Sequence, residues 1–144
     1  KFTTNTNGGV AGGSTEDLIA YCFASIKGYS KFGGYTGNGN NDGTFINTGF
    51  RPAFVMIKRL SGGDNGWVMF DNKRNTYNPV DNNLQAQWDT AENAADAGDI
   101  DILSNGFKIV VTDNDTNVSS TPYIYMAWAE FPTVSSNDIP GVAR

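Results

Sequence analysis

Hydrophobic residues along this chain come in short runs with period-two alternation, separated by clusters of Gly, Asn, Asp, Ser and Thr. That spacing predicts strands and tight turns, not helices. The runs fall at residues 18–26, 29–35, 44–48, 53–59, 67–71, 84–88, 99–103, 107–111 and 123–131. Residues 53–59 are almost continuously apolar, which predicts a central strand covered on both faces. Asn105-Gly106 between two alternating runs predicts a hairpin whose turn uses positive φ. Gly33-Gly34 inside the second run predicts a bulge or a close backbone approach. Residues 90–98, with three Ala and Thr90 as a cap, predict one or two helical turns at most. Stacking such strands gives an all-β fold: an antiparallel β-sandwich or jelly-roll, with at most one short helix.

The flanks differ from the centre. Residues 1–17 form a Gly-, Asn- and Thr-rich arm, residues 18–132 the sandwich, and residues 133–144 a C-terminal tail. One run also repeats. Residues 19–26 (IAYCFASI) align without a gap on residues 124–131 (IYMAWAEF), each with an aromatic before a fixed Ala. The repeat predicts two equivalent strands, as in an array of like units built for assembly and display.

Composition narrows the chemistry. The net charge is −5, which disfavours phosphate contacts and anionic lipid and so excludes nucleic acid as a partner. No apolar run is long enough to insert into a membrane. The sequence shows no secretory leader and does not begin with Met, so a processed or internal start is expected. The single Cys22 has no partner for an internal disulfide and reads as a buried small hydrophobe.

The chain contains no His, which removes Ser-His-Asp and Cys-His catalysis and His-based zinc sites. Asp113-Asn114-Asp115-Thr116-Asn117 opens like a calcium loop, but Val118 and Ile124 stand where a Gly and a bidentate Glu are needed. It reads as an Asx-rich turn. Asp99 and Asp101 share one strand face, and they read as solvent-facing residues without sugar-positioning neighbours. Lys58-Arg59 and Lys73-Arg74 read as charged strand edges that discourage pairing. No catalytic residue, no metal site and no cofactor is expected.

Aromatic side chains remain as candidate binding groups, because a ring face suits the apolar face of a pyranose. Trp67 and Trp128 lie in apolar runs and read as core. Trp88, Tyr77 and the adjacent Asn78 lie in the irregular segment and are the candidate ligand-binding residues.

Five stretches carry a family resemblance: residues 20–24 (AYCFA), 28–39 (GYSKFGGYTGNG), 48–59 (TGFRPAFVMIKR), 101–108 (DILSNGFK) and 123–130 (YIYMAWAE). Together they resemble an uncharacterised β-sandwich domain of tailed-phage virion and tail-fibre-like proteins from environmental and marine phages. In such proteins the unit often follows a related unit, in keeping with the repeat. The resemblance implies a lectin-like β-sandwich and a virion location. With it, the chain reads as a non-enzymatic module, a tail-fibre or spike segment, with a capsid decoration protein as the alternative and a polysaccharide-degrading enzyme as the weakest reading. Implied partners are other virion proteins, copies of the chain itself (a trimer for a fibre) and host-surface glycan.

Overall fold

A computed structural model describes residues 20–62, 66–75, 77–89, 91–92 and 98–132. Eight strands are formed: β1 (Ser30–Thr36), β2 (Phe45–Asn47), β3 (Pro52–Arg59), β4 (Trp67–Asp71), β5 (Leu84–Gln85), β6 (Ile100–Leu103), β7 (Gly106–Ile109) and β8 (Pro122–Ala129). They make two antiparallel sheets, one of five strands in the order β1-β8-β3-β4-β5 and one of three in the order β2-β7-β6. The all-β sandwich expected from the pattern is therefore the fold. Among the described residues there is no helix; most of the predicted helical turn over 90–98 lies outside them.

Alternation builds the core. Val55 and Ile57 of β3, Val68 and Phe70 of β4, and Tyr123, Tyr125 and Ala127 of β8 face inward from the large sheet. Ile46, Ile100, Ile102, Phe107 and Ile109 face them from the small sheet, and all join one buried cluster. Phe107 meets Tyr125 edge to face, with ring centroids 5.5 Å apart. Each fully buried aliphatic or aromatic side chain contributes about 1.5–3 kcal/mol of transfer free energy, so this cluster dominates the stability.

β3 is central, as predicted, between β8 and β4. Its outer face is half-buried rather than fully covered. Phe54 and Met56 lie there beside Trp67, Met69, Ile124, Met126 and Trp128. Trp67 and Trp128 are thus outer-face residues and not core. The apolar runs place large side chains on both faces of the sheet, and the inner positions fall to their neighbours Val68 and Ala127.

The predicted strand at 18–26 is not formed over the described residues 20–25. β1 already pairs with β8, and the segment meets its free edge without a backbone ladder: through a bridge between Ile26 and Ser30, the Ser30 hydroxyl donating to the Ala24 carbonyl at 2.9 Å, and the Phe32 N–H donating to the Ser25 hydroxyl at 3.1 Å. Tyr21 and Cys22 are exposed, so the thiol is not a core residue. The alignment with residues 124–131 therefore does not mark two equivalent strands here. Phe23 and its aligned partner Trp128 instead pack against each other, rings 5.7 Å apart, and Phe32 of the edge strand β1 touches both.

Two glycines carry specific constraints. β1 runs against β8 without a bulge, and a Cβ on Gly33 would sit 2.9 Å from the Tyr125 hydroxyl, so the close approach is the operative reading. The β6–β7 hairpin forms as predicted, but Leu103 pairs with Gly106, so the turn is Ser104-Asn105 and neither residue has positive φ. Gly106 serves packing: a Cβ there would lie 2.1 Å from the Ile46 carbonyl oxygen of β2.

The basic pairs are not edge guards. Arg59 ends the central strand and donates through Nη1 to the Asn114 carbonyl at 3.3 Å. Lys73 lies 3.9 Å from Glu130, and Arg74 pairs with Asp71 at 2.6 Å and with Glu92. Both pairs follow from strand ends meeting loops that carry carboxylates or free carbonyls.

Asparagine makes the turns. Asn38 accepts the Asn40 N–H, Asn40 accepts the Asp42 N–H, and Asp113 accepts the Asp115 N–H at 2.7 Å, each two residues on. These are Asx-turns, which answers the calcium-like motif with the plainer reading. Asn117 in that loop is buried. Its carboxamide accepts the Asn38 N–H at 2.9 Å and donates to the Asn40 and Val111 carbonyls, both at 2.8 Å. Tyr123 adds a second tie, donating to the Asn114 carbonyl and accepting the Val118 N–H.

Candidate functional site

A pocket of about 190 Å³ opens where the start of β3, the end of β4 and strand β6 converge. Its construction begins at Asp71. The carboxylate accepts the N–H groups of Lys73 at 2.8 Å and Arg74 at 2.9 Å, which turns the chain out of β4. Asn72 is fixed by its backbone N–H on the Ala53 carbonyl at 3.0 Å. Asn75 then closes the loop that follows, donating to Asp81 at 2.6 Å and accepting the Asn82 N–H at 2.9 Å. Tyr77 projects from this closed loop.

Asn78 imitates a strand partner. Its carboxamide accepts the Ile102 N–H at 3.0 Å and donates to the Ile102 carbonyl at 3.1 Å. Val80 continues the pairing through two backbone bonds with Ile100, at 2.7 and 3.2 Å. Residues 78–80 thus run along the free edge of β6, so the pocket floor of Val80 and Ile102 belongs to the buried core.

Arg51 forms the opposite wall from the corner before β3. Its Nε lies 2.9 Å from Glu130, and its Nη1 donates to the Ile102 carbonyl at 3.2 Å. The Glu130 N–H returns to the Arg51 carbonyl at 2.9 Å. The guanidinium is therefore held in place while half its side chain still meets solvent.

What the site offers a ligand is what this frame leaves unused. Among the described residues, the Asn72 carboxamide, the Tyr77 hydroxyl and Arg51 Nη2 have no hydrogen-bond partner. Tyr77 is 84% exposed, so its ring face is also free for contact. Among the described residues no carboxylate lines the pocket.

Of the predicted ligand-binding residues, Tyr77 and Asn78 come together here, with Asn78 committed to the β6 backbone. Trp88 is exposed beyond β5 and does not line the pocket. Arg51 and Asn72 escape a linear reading, because 21 positions separate them and only the β3–β4 pairing joins them. A larger, more apolar hollow of about 470 Å³ lies near Ile26, Lys31 and Thr48, and among the described residues no aromatic ring lines it.

The acids behave differently from a catalytic pair. Asp101 lies on the outer face of the small sheet, opposite Lys108. Asp99 and Asp101 are both half-buried rather than fully solvent-facing. Burial raises the Asp99 carboxyl above the usual range, and the nearby Asp81 and Asp113 push the same way. Among the described residues no group of three or more His, Cys, Asp or Glu side chains is placed to hold a metal ion.

Fold and pocket together define a small antiparallel β-sandwich with a shallow polar pocket on a hydrogen-bonded frame. The chain belongs to the family Domain of unknown function (DUF7483), whose model matches residues 1–132. No curated protein and no solved structure matches the chain.

Proposed function

We propose that the chain is a non-enzymatic structural and adhesion module of a tailed-phage particle, a tail-fibre or spike segment that contacts host-surface glycan. The observation that carries this reading is the pocket of Tyr77, Asn72 and Arg51, in which a free ring face stands beside unpaired polar groups. Carbohydrate recognition uses that combination, because a sugar has an apolar face and a polar rim. The resemblance to virion domains over most of residues 18–131 supports a virion location. Single sites this small bind weakly, and display in several copies on one particle raises the avidity.

A second reading, capsid decoration, is favoured by a different observation. The outer face of the large sheet gathers Phe54, Met56, Trp67, Met69, Met126 and Trp128, half-buried, on four adjacent strands with Phe32. An apolar sheet face suits contact with another subunit. Polysaccharide cleavage has no such support, since Asp99 and Asp101 do not face each other across the pocket.

The test is a glycan array probed with the protein displayed in many copies on beads. Retention on a defined glycan class that is lost with Tyr77→Ala supports adhesion. Absence of retention by the multivalent wild type, with the same protein decorating purified heads, transfers the support to the second reading.

A further inference from the structure

We infer that the Tyr77 pocket takes the acetamido group of an N-acetylated sugar; this rests on the adhesion reading and names its ligand class. The groups left unpaired in the pocket decide which ligand fits. Asn75 and Asn78 are consumed by Asp81, Asn82 and Ile102, so they are frame. Arg51 has spent Nε on Glu130 and Nη1 on the Ile102 carbonyl, which leaves Nη2. Asn72 retains a donor and an acceptor. Val80 and Ile102 present aliphatic floor, and Tyr77 presents a ring.

An acetamido group matches this set. Its carbonyl accepts from Arg51 Nη2, its N–H donates to the Asn72 side-chain oxygen, and its methyl reaches the Val80 and Ile102 floor. The attached pyranose then lies against Tyr77. A bare hydroxyl would leave the aliphatic floor unmatched. A carboxylate fits the charge less well, because Glu130 already neutralises Arg51 at 2.9 Å and would face a second anion across the same guanidinium. Lys73, 3.9 Å from the other Glu130 oxygen, is largely exposed and does not line the pocket. The chain's net charge of −5 adds long-range repulsion for acidic sugars. A volume of about 190 Å³ suits one substituted ring rather than an extended oligosaccharide.

Saturation-transfer NMR on the whole chain, with millimolar methyl glycosides, tests this. Methyl N-acetyl-β-glucosaminide is expected to receive its strongest transfer at the acetyl methyl. Methyl β-glucoside, the free-amine methyl glucosaminide and methyl β-glucuronide are expected to bind about tenfold more weakly, the scale of one lost hydrogen bond to a charged donor. Asn72→Ala and Tyr77→Ala should lose the signal, while Tyr77→Phe keeps it; heteronuclear spectra verify that each variant is folded. Equal transfer to the parent glucoside, or tighter binding of the glucuronide, overturns the acetamido assignment and leaves saccharide adhesion standing. Silence from every glycoside with the folded wild type removes both.

Discussion

The Phe107 ring stands edge-on to the Tyr125 ring at 5.5 Å, and this contact bridges the two sheets. Phe107 sits on the middle strand of the small sheet and Tyr125 on β8 of the large one. Truncating Phe107 removes a fully buried ring from the centre of the sandwich. Phe107→Ala should cost about 3–5 kcal/mol in urea unfolding. A loss near that of a surface substitution would mean that the sheets are not packed through this ring.

Asn117 predicts a polar counterpart. Its side chain satisfies one N–H and two carbonyls from the loops at 37–43 and 111–121. Asn117→Ala strands these groups and should cost about 2–3 kcal/mol, against less than about 0.5 kcal/mol for the exposed Ser119→Ala. Hydrogen exchange should report the loss first at the Asn38 amide.

These two residues also mark what a linear reading reaches. The strands β3, β4, β6, β7 and β8 are legible because their alternation is imposed by burial on one face. Phe107 is legible as core for the same reason. Asn117 reads only as one more turn residue, because its partners Asn38 and Asn40 are far off in sequence and meet it only once β1 and β8 have paired. Residues 20–25 mislead in the opposite direction. Their composition suits a strand, yet a strand needs a backbone ladder, and these residues reach β1 through the Ser30 and Ser25 hydroxyls, with a single backbone bridge at the adjacent Ile26. In the pocket, Tyr77 and Asn78 stand out as an aromatic and an amide in a polar irregular stretch. Arg51 and Asn72 join them only through sheet pairing, which no local pattern encodes.

Gly106 supplies a third prediction, because its reason is steric and not conformational. A methyl group would press on the Ile46 carbonyl at 2.1 Å and force β2 away from β7. Gly106→Ala should cost about 3 kcal/mol, while Ser104→Ala in the adjacent exposed turn stays within about 0.5 kcal/mol. Equal effects in chemical unfolding would refute the packing account of the hairpin.

Asp99 sets a pH-dependent expectation. Burial raises its folded-state carboxyl above the unfolded value, with Asp81 and Asp113 adding to the shift. The folded state then holds the proton more tightly than the unfolded one. Its ionisation penalty is absent below the unfolded pKa and grows as pH rises through the folded pKa. Asp99→Asn should therefore stabilise the protein at neutral pH, by less than about 1 kcal/mol because solvent still reaches the group. The gain should vanish in acid, where the wild-type carboxyl is already neutral. Asp71 has the opposite sign: burial is outweighed by the Lys73 and Arg74 N–H groups and the Arg74 charge, so its carboxyl is lowered. Its contribution is lost as pH falls through that lowered value. Thermal melts of wild type and Asp99→Asn across this range distinguish the two.

The most direct test of the adhesion account is amide chemical-shift mapping of the labelled chain with host-surface polysaccharide. The account predicts that the shifts concentrate on Asn72, Tyr77, Asn78 and Ile102, around the pocket. Shifts centred on Met56, Met126 and Trp128, or none in the presence of the polysaccharide, would contradict it.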